Sequence, residues 1–364
     1  MTQHSREIQL DLLAEPDEAI SSARAMRPPS LPAIQELEPL PRTRPRPVKA
    51  APAFLSDGAN AEEAFRLTLL QCKWHIAANI PAVIEARDIE GMHQMRVGFR
   101  RLRVAFTSFG HEFRTPSMRT LRLRAKQIAD RLAPARDLDV FLTELFEAPA
   151  NANGAVEAFE ALRARAERQR RKAWNEAAVQ IASPAFSGFM NDLGAAIDRR
   201  HWREGLHSDG TPAAGLVAFE APARTLADRM LAGRLKTARR RARHLEKLSE
   251  AERHRLRISL KKLRYTCEFF APLYDAKEVA AFLKRLSKMQ DILGGLNDVF
   301  VARDTLDALV SAGDAGPLAS AADLSFAAGI LYGWHLERAA DLWTRAVERW
   351  KKFGRKDPYW IAAG

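Results

Sequence analysis

HQMRVGFRRLR at residues 93–103 and HRLRISLKKLR at residues 254–264 are the two stretches whose reading decides the fold. Both carry the period of an amphipathic helix rather than the alternation of a strand. At about 100° per residue, His93, Arg96, Arg100 and Arg103 fall within a stripe roughly 80° wide, while Met95, Phe99, Leu102 and Phe106 gather on the opposite face. The later stretch repeats the arrangement, with His254, Arg257, Lys261 and Arg264 on one face and Leu256, Leu260, Leu263 and Cys267 on the other. Each helix is therefore expected to bury one face and display a row of cations. Like charges spaced along a solvated stripe repel by roughly 0.2–0.5 kcal/mol per pair, and a bound anion would offset that.

The two stretches lie 161 residues apart, and the same offset, without a gap, pairs Phe109 with Phe270, Arg124 with Arg285, Asp130 with Asp291, Leu132 with Leu293, Asp137 with Asp298 and Val140 with Val301. So long a period is no solenoid unit; it implies an internal duplication, two similar bundles of about four helices each. From Asn60 onward apolar residues recur at three and four, and alternating β-branched runs are nearly absent, so the chain reads as all-α. Helix breaks are expected at Gly91, at Thr115 with Pro116, at Pro134, over residues 151–154 and around residues 206–215. In the second half they are expected at Ser249, Pro272, Gly294 with Gly295, and residues 313–317. The two halves are assigned to residues 59–210 and 211–352, with a tail at residues 353–364.

Residues 1–58 contain nine of the nineteen prolines and sum to a net charge of −1. They have neither a helical period nor an apolar face, and are expected to form an extended, disordered Pro-rich arm. The chain as a whole carries +12, which leaves +13 on residues 59–364, so a polyanion site is expected in the folded part. Its 364 residues, 47% hydrophobic and 28% charged, suit a soluble globular protein with a large core. No apolar run is long enough to span a bilayer, and the acidic N-terminus lacks the pattern of a secretory signal, so the cytoplasm is the expected location. Cys72 and Cys267, the only cysteines, occupy apolar positions of helical patterns and read as core thiols. Trp174, Trp334, Trp343 and Trp350 read likewise as core or bundle-interface residues.

Neighbouring segments carry further cationic faces: Arg119, Arg122 and Lys126; Lys277, Lys284 and Lys288; Arg229, Lys236, Arg240 and Arg243. If these faces meet the two stripes, a basic groove or channel results, which suits a long anion better than a small one. Asp137 and Asp298 follow the breaks at Pro134 and Gly294-Gly295, and read as N-caps or as acids that hold nearby arginines in place. A lone histidine on a helix surface is most simply a partner for a carboxylate; the repetition of His93 and His254 favours an anion-binding role.

HQMRV followed by Arg100, Arg101, Leu102 and Arg103, and HRLR followed by Lys261, Lys262, Leu263, Arg264 and Tyr265, closely resemble the motifs of the CHAD family, helical domains named for their histidines. Arg136-Asp137-Leu138-Asp139-Val140, Gln290-Asp291-Ile292-Leu293-Gly294 and Leu296-Asn297-Asp298 are similar to that family's motifs as well. The resemblance covers about residues 60–350. It implies a pseudo-twofold pair of four-helix bundles that binds inorganic polyphosphate on a basic central surface and locates to polyphosphate granules. By that resemblance His93, Arg96, Arg100, Arg103, His254, Arg257, Lys261 and Arg264 are phosphate ligands. With Arg101, Arg136 and Lys262 from the same motifs, and with Arg119, Arg122, Lys126, Lys236, Arg240, Arg243, Lys284 and Lys288 from the neighbouring faces, they make up the candidate polyphosphate site.

The residue chemistry agrees with that implication. Polyphosphate carries about one negative charge per phosphate and no bases, so its receptor needs forked guanidinium and mobile ammonium donors without stacking platforms. The sequence holds no zinc-protease motif, paired Cys-x-x-Cys, Gly-rich phosphate loop or Gly-x-Ser-x-Gly elbow, and no metal or cofactor is expected, so the reading is a binding module and not an enzyme. Residues 7–12, EIQLDL, resemble the start of the triphosphate tunnel domains joined to some CHAD regions, but Gln9 and Asp11 replace the second acid and the lysine, and the Pro-rich arm leaves no room for a tunnel. The competing class is a general polyanion or nucleic-acid binder, against which stand the low aromatic content of 8% and the absence of basic-aromatic interleaving. The arm is a possible contact for granule-associated proteins.

Overall fold

The structure, a computed structural model, describes residues 44–52, 54–109, 113–146, 156–204, 214–311, 320–354 and 357–361. These residues form twelve α-helices: α1 Ala61–Ala78, α2 Ile80–Ile84, α3 Ile89–Ser108, α4 Pro116–Arg131, α5 Ala133–Val140, α6 Val156–Ala182, α7 Pro184–Asp198, α8 Ala214–Glu220, α9 Ala223–Arg241, α10 Glu250–Phe270, α11 Ala276–Ser311 and α12 Ala321–Phe353. Among them the one extended pairing is a bridge between Asn60 and Pro222. The all-α expectation is met. No helix among the described residues is long and apolar enough to cross a membrane.

Local chemistry sets most of the helix starts. Asn60, Asp88, Thr115 and Ser183 each accept a backbone N–H three residues on, and Pro116 and Pro184 follow two of them at the first helical position. Ser249 and Glu252 close a capping box at the head of α10, as Ser320 and Asp323 do for α12. Pro272 ends α10 in a tight turn over Ala271–Leu273. The expected breaks at residues 151–154, 206–213 and 313–317 lie outside the described residues.

The expected break at Gly294-Gly295 does not occur. Helix α11 runs through both glycines without interruption. A Cβ at Gly295 would stand 3.0 Å from Leu342 Cδ1, so this glycine admits α12 against α11, while Gly294 faces open space. A glycine inside a helix serves close packing here, not termination. With the break gone, Asp298 lies deep inside α11 and Asp137 inside α5, whose N-cap is Leu132; neither is an N-cap.

The core falls into three apolar clusters. The first joins α1, α3, α4, α7 and the start of α9 around Phe65, Phe99, Phe109, Phe189 and Trp202. The second joins the rest of α9 with α10, α11 and the end of α12. The third ties α6 to the far ends of α11 and α12 through Phe159, Leu162, Leu306, Leu309 and Leu331. Packing therefore crosses the division at residue 210: Phe219 of α8 stacks on Phe113, ring centroids 4.7 Å apart, in the first cluster. The stretch assigned as a tail is not one, since Tyr359 and Trp360 are buried, with the Trp360 ring 5.0 Å from Phe282. Cys72 and Cys267 are free, fully buried thiols, pushed up to about 11 and about 12 by that burial.

The boundary of the arm also moves. The compact body begins at Arg44 rather than at residue 59. Arg44 donates to the Ala86 carbonyl at 2.8 Å, Val48 exchanges two hydrogen bonds with the Asn79 side chain, and Leu55 enters the first core cluster. Polar ties and one apolar anchor hold a segment that has no helical period of its own. Residues 1–43 lie outside the described residues.

The two kinds of helical glycine predict opposite outcomes. Gly294→Ala is expected to stabilise the fold by up to about 1 kcal/mol through helix propensity. Gly98→Ala, whose Cβ would meet Ile76 Cγ1 at 2.8 Å, is expected to destabilise it by about 1–3 kcal/mol. Thermal unfolding of the two variants checks both signs.

Candidate functional site

The two motif helices, α3 and α10, pack on one another, and their cationic faces meet at a waist. Arg100 on α3 and Arg257, Lys261 and Tyr265 on α10 line two cavities at once, one on each side. The larger, about 830 Å³, is bounded by α3, α10, α11 and residues 49–52. The smaller, about 400 Å³, is bounded by α3, α4 and α10. The apolar faces of α3 and α10 fix this geometry: Met95, Phe99 and Leu102, and Leu256, Leu260 and Leu263, are all fully buried.

The two cavities differ in charge. The larger receives His93, Arg100, Arg101, Arg257, Lys261, Arg264 and Lys49, but also Glu268, Asp291 and Asp298. The smaller receives Arg100, Arg103, Arg122, Lys126, Arg257, Lys261 and Lys262, and among the described residues its lining includes no carboxylate. Outside the lining, Lys126 is paired with Asp130 at 2.6 Å.

At the waist the cations are half-buried and crowded. Burial first, then the charges of Arg257 and Arg100, push the Lys261 amine down to about 7. Arg96 is lowered to about 10 and Arg257 is lowered too, each mainly by burial. The Nε atoms of Arg96, Arg100 and Arg257 are buried with no hydrogen-bond partner. His93, pressed by its own burial and by Arg136 and Arg100, is pushed down to about 4 and is neutral at pH 7. Charges that repel one another in a place with little water are what a bound polyanion neutralises.

Two aspartates temper the cluster. Asp137 stands 3.8 Å from Arg96, and Arg257 is the cation that acts most strongly on Asp298, though the two form no ion pair within 4.0 Å. Burial raises both carboxyls while the arginines draw them back down. Of the two sequence readings, holding arginines in place is the one that matches this geometry. Asp139, next in the same motif, is fully buried and accepts from Arg170 at 2.7 Å and Trp174 at 2.9 Å, which joins α5 to α6.

The remaining sequence candidates are placed unevenly. Arg101 is almost fully buried, ion-paired with Glu268 and stacked over Phe269 at 5.1 Å. Arg264 reaches the same Glu268 at 2.8 Å, so one acid on α10 clamps a cation from each motif. Arg136 lies beside His93 and Arg96 and pairs with Glu144 at 3.5 Å. His254 is exposed and bonds Asn297 at 2.8 Å in a small opening between α10 and α11, so the two repeated histidines stand in different settings. Lys236, Arg240 and Arg243 line a separate cavity of about 480 Å³ on α9, away from the waist. Arg119, Lys284 and Lys288 line none of these cavities.

The reading of the sequence missed Lys49, Tyr265 and Gln290. Lys49 carried no signal because it lies in a Pro-rich stretch without period. Gln290 donates to the Leu260 carbonyl at 2.8 Å and accepts from Arg264 at 3.3 Å, which orients that guanidinium; it had been quoted only as part of a motif. Among the described residues no group of three or more His, Cys, Asp or Glu could hold a metal ion.

A family model described as the CHAD domain matches residues 68–307. Among solved structures, the crystal structure of the CHAD domain from the plant Ricinus communis is similar at 29% identity and a TM-score of 0.72, covering 86% of this chain and 98% of that one. PptA from Streptomyces chartreusis shares the fold at 16% identity and a TM-score of 0.55, covering 80% of this chain and all of that one. No curated protein matches the sequence.

Arg101 and Lys261 make a paired prediction. Lys261 titrates near 7 in the folded chain and near 10.4 when unfolded, so its protonation weakens folding as pH falls between those values, and the penalty is complete below 7. Lys261→Met removes the penalty and is expected to raise stability at pH 7 by up to about 4 kcal/mol. Arg101→Leu leaves Glu268 half-buried without one of its two partners and is expected to lower stability by about 2–4 kcal/mol. Denaturant unfolding of the ligand-free variants checks both.

Proposed function

This chain belongs to the CHAD domain family, and on that premise we propose that it is a binding protein for inorganic polyphosphate that grips the anion at the waist between α3 and α10. The observation that carries the reading is the smaller cavity, where seven cations from three helices converge with no carboxylate in the lining. Their spacing along two helix faces suits an anion that repeats its charge. Arg100, Arg257 and Lys261 also line the larger cavity, so an anion held in the smaller one meets cations that both cavities share. Among the described residues Tyr265 is the one Phe, Tyr or Trp ring in either lining, which leaves successive bases of a nucleic acid with few platforms. The protein acts by binding and neutralising charge, not by catalysis, and its place is at polyphosphate granules in the cytoplasm.

Binding is linked to protons. An anion at the waist favours the charged form of Lys261, so its value rises above 7 and a proton is taken up on binding. Affinity is therefore expected to fall as pH climbs from 7 toward 9, and Lys261→Arg is expected to flatten that limb. His93 adds a second limb below neutrality, because polyphosphate raises it from about 4.

Labelled long-chain polyphosphate, displaced at near-physiological salt by unlabelled polyphosphate, duplex DNA or single-stranded RNA at equal phosphate, tests the reading. Polyphosphate is expected to compete best, and Arg100→Ala with Arg257→Ala to weaken it at least about 30-fold with helical content unchanged. Equal competition by nucleic acids makes the chain a general polyanion binder. Unchanged affinity in the double variant removes the waist from the site.

A further inference from the structure

The fourth wall of the larger cavity is not a helix. Residues 49–52, Lys-Ala-Ala-Pro, line it opposite the faces of α3, α10 and α11. They precede the residues matched by the family model, 68–307.

The segment is held at both ends. Arg44 donates to the Ala86 carbonyl at 2.8 Å. Val48 donates to Asn79 Oδ1 at 3.0 Å, and Asn79 Nδ2 donates back to the Val48 carbonyl at 2.9 Å. Past the cavity, Gln71 donates to the Pro52 carbonyl at 2.6 Å, and Leu55 is buried in the first core cluster. Lys49 therefore sits between two fixed points. Pro45, Pro47 and Pro52 lock their own φ angles, so the span is stiff as well as tied.

Such a wall changes which anions fit. The cations at the waist are half-buried side chains at the base of the cleft, not points on an open face. A bare phosphate chain is a thread and reaches them between the walls. A duplex is a broad rod whose phosphates lie on its outside, and a tied wall along one side of the larger cavity limits how closely such a rod approaches the cations there. Beside Lys49 the wall offers two alanines and a proline, with no aromatic ring on which an unpaired base stacks.

Resting on the polyphosphate reading above, we propose that residues 44–52 are a fixed strap that narrows the cleft to thread-like polyanions, excludes duplex nucleic acid, and supplies Lys49 as a further phosphate ligand. The strap sets specificity by shape, where the waist sets affinity by charge.

Two full-length variants separate these roles. Lys49→Glu reverses one charge and is expected to weaken long-chain polyphosphate about tenfold. Arg44→Ala with Val48→Pro and Gln71→Ala unties the strap outside the waist and is expected to raise the competing strength of short duplex DNA, relative to polyphosphate, at least about fivefold. Circular dichroism and thermal unfolding establish that both variants are folded. Wild-type selectivity in the untied variant, or wild-type affinity in Lys49→Glu, overturns the corresponding part of the inference while polyphosphate binding itself stands. A wild-type protein that fails to bind polyphosphate overturns the parent reading and the strap with it.

Discussion

The structure turns on like charges held together by apolar packing. Arg100, Arg257 and Lys261 would separate if their side chains were free, since burial weakens their hydration and each repels the others. They stay because the opposite faces of α3 and α10 are locked into core clusters that the charges cannot move. Glu268 adds the direct tie between the motifs, taking Arg101 from one and Arg264 from the other. The cost appears as an amine at about 7 and guanidinium nitrogens without partners. Sites that hold perturbed charges in a cleft are where function is sought, and here the unbalanced sign names the kind of ligand.

Around that centre the two cavities differ in chemistry. Among the described residues the charged groups of the smaller cavity are all cations, while the larger mixes cations with Glu268, Asp291 and Asp298. His93 is half-buried among arginines and neutral, whereas His254 is exposed and bonded to Asn297. The positive charge is thus unopposed on one side of the waist and partly balanced on the other. The strap adds a wall of a different kind, backbone and small side chains tied by hydrogen bonds, on the weaker side.

Periodicity made the helices and both cation stripes legible, because burial of one helix face leaves a period of 3.6 that survives in the sequence. Capping chemistry located the starts at Thr115 and Ser249, while the start that Ser183 caps was not read from the sequence. Glycine misled at Gly294-Gly295, since the same residue ends a helix when its backbone must turn and permits close approach when a neighbour such as Leu342 leans in. The arm and the tail were misjudged for one reason. Val48, Leu55, Tyr359 and Trp360 are anchored singly, by contacts to distant helices, and a single anchor has no period.

The sequence by itself determined the all-α class, the amphipathic helices and the stock of cations facing away from the core, because these follow from local spacing and composition. Only the tertiary structure decided which cations share a site. Arg100, Arg257 and Lys261 meet across the contact of α3 and α10, while Lys236, Arg240 and Arg243, equally basic and equally well spaced, line a separate cavity on α9. A stripe records which way a side chain points around its own helix axis. Whether two stripes meet depends on how the helices pack, and that is set by the shapes of apolar faces far apart in the chain.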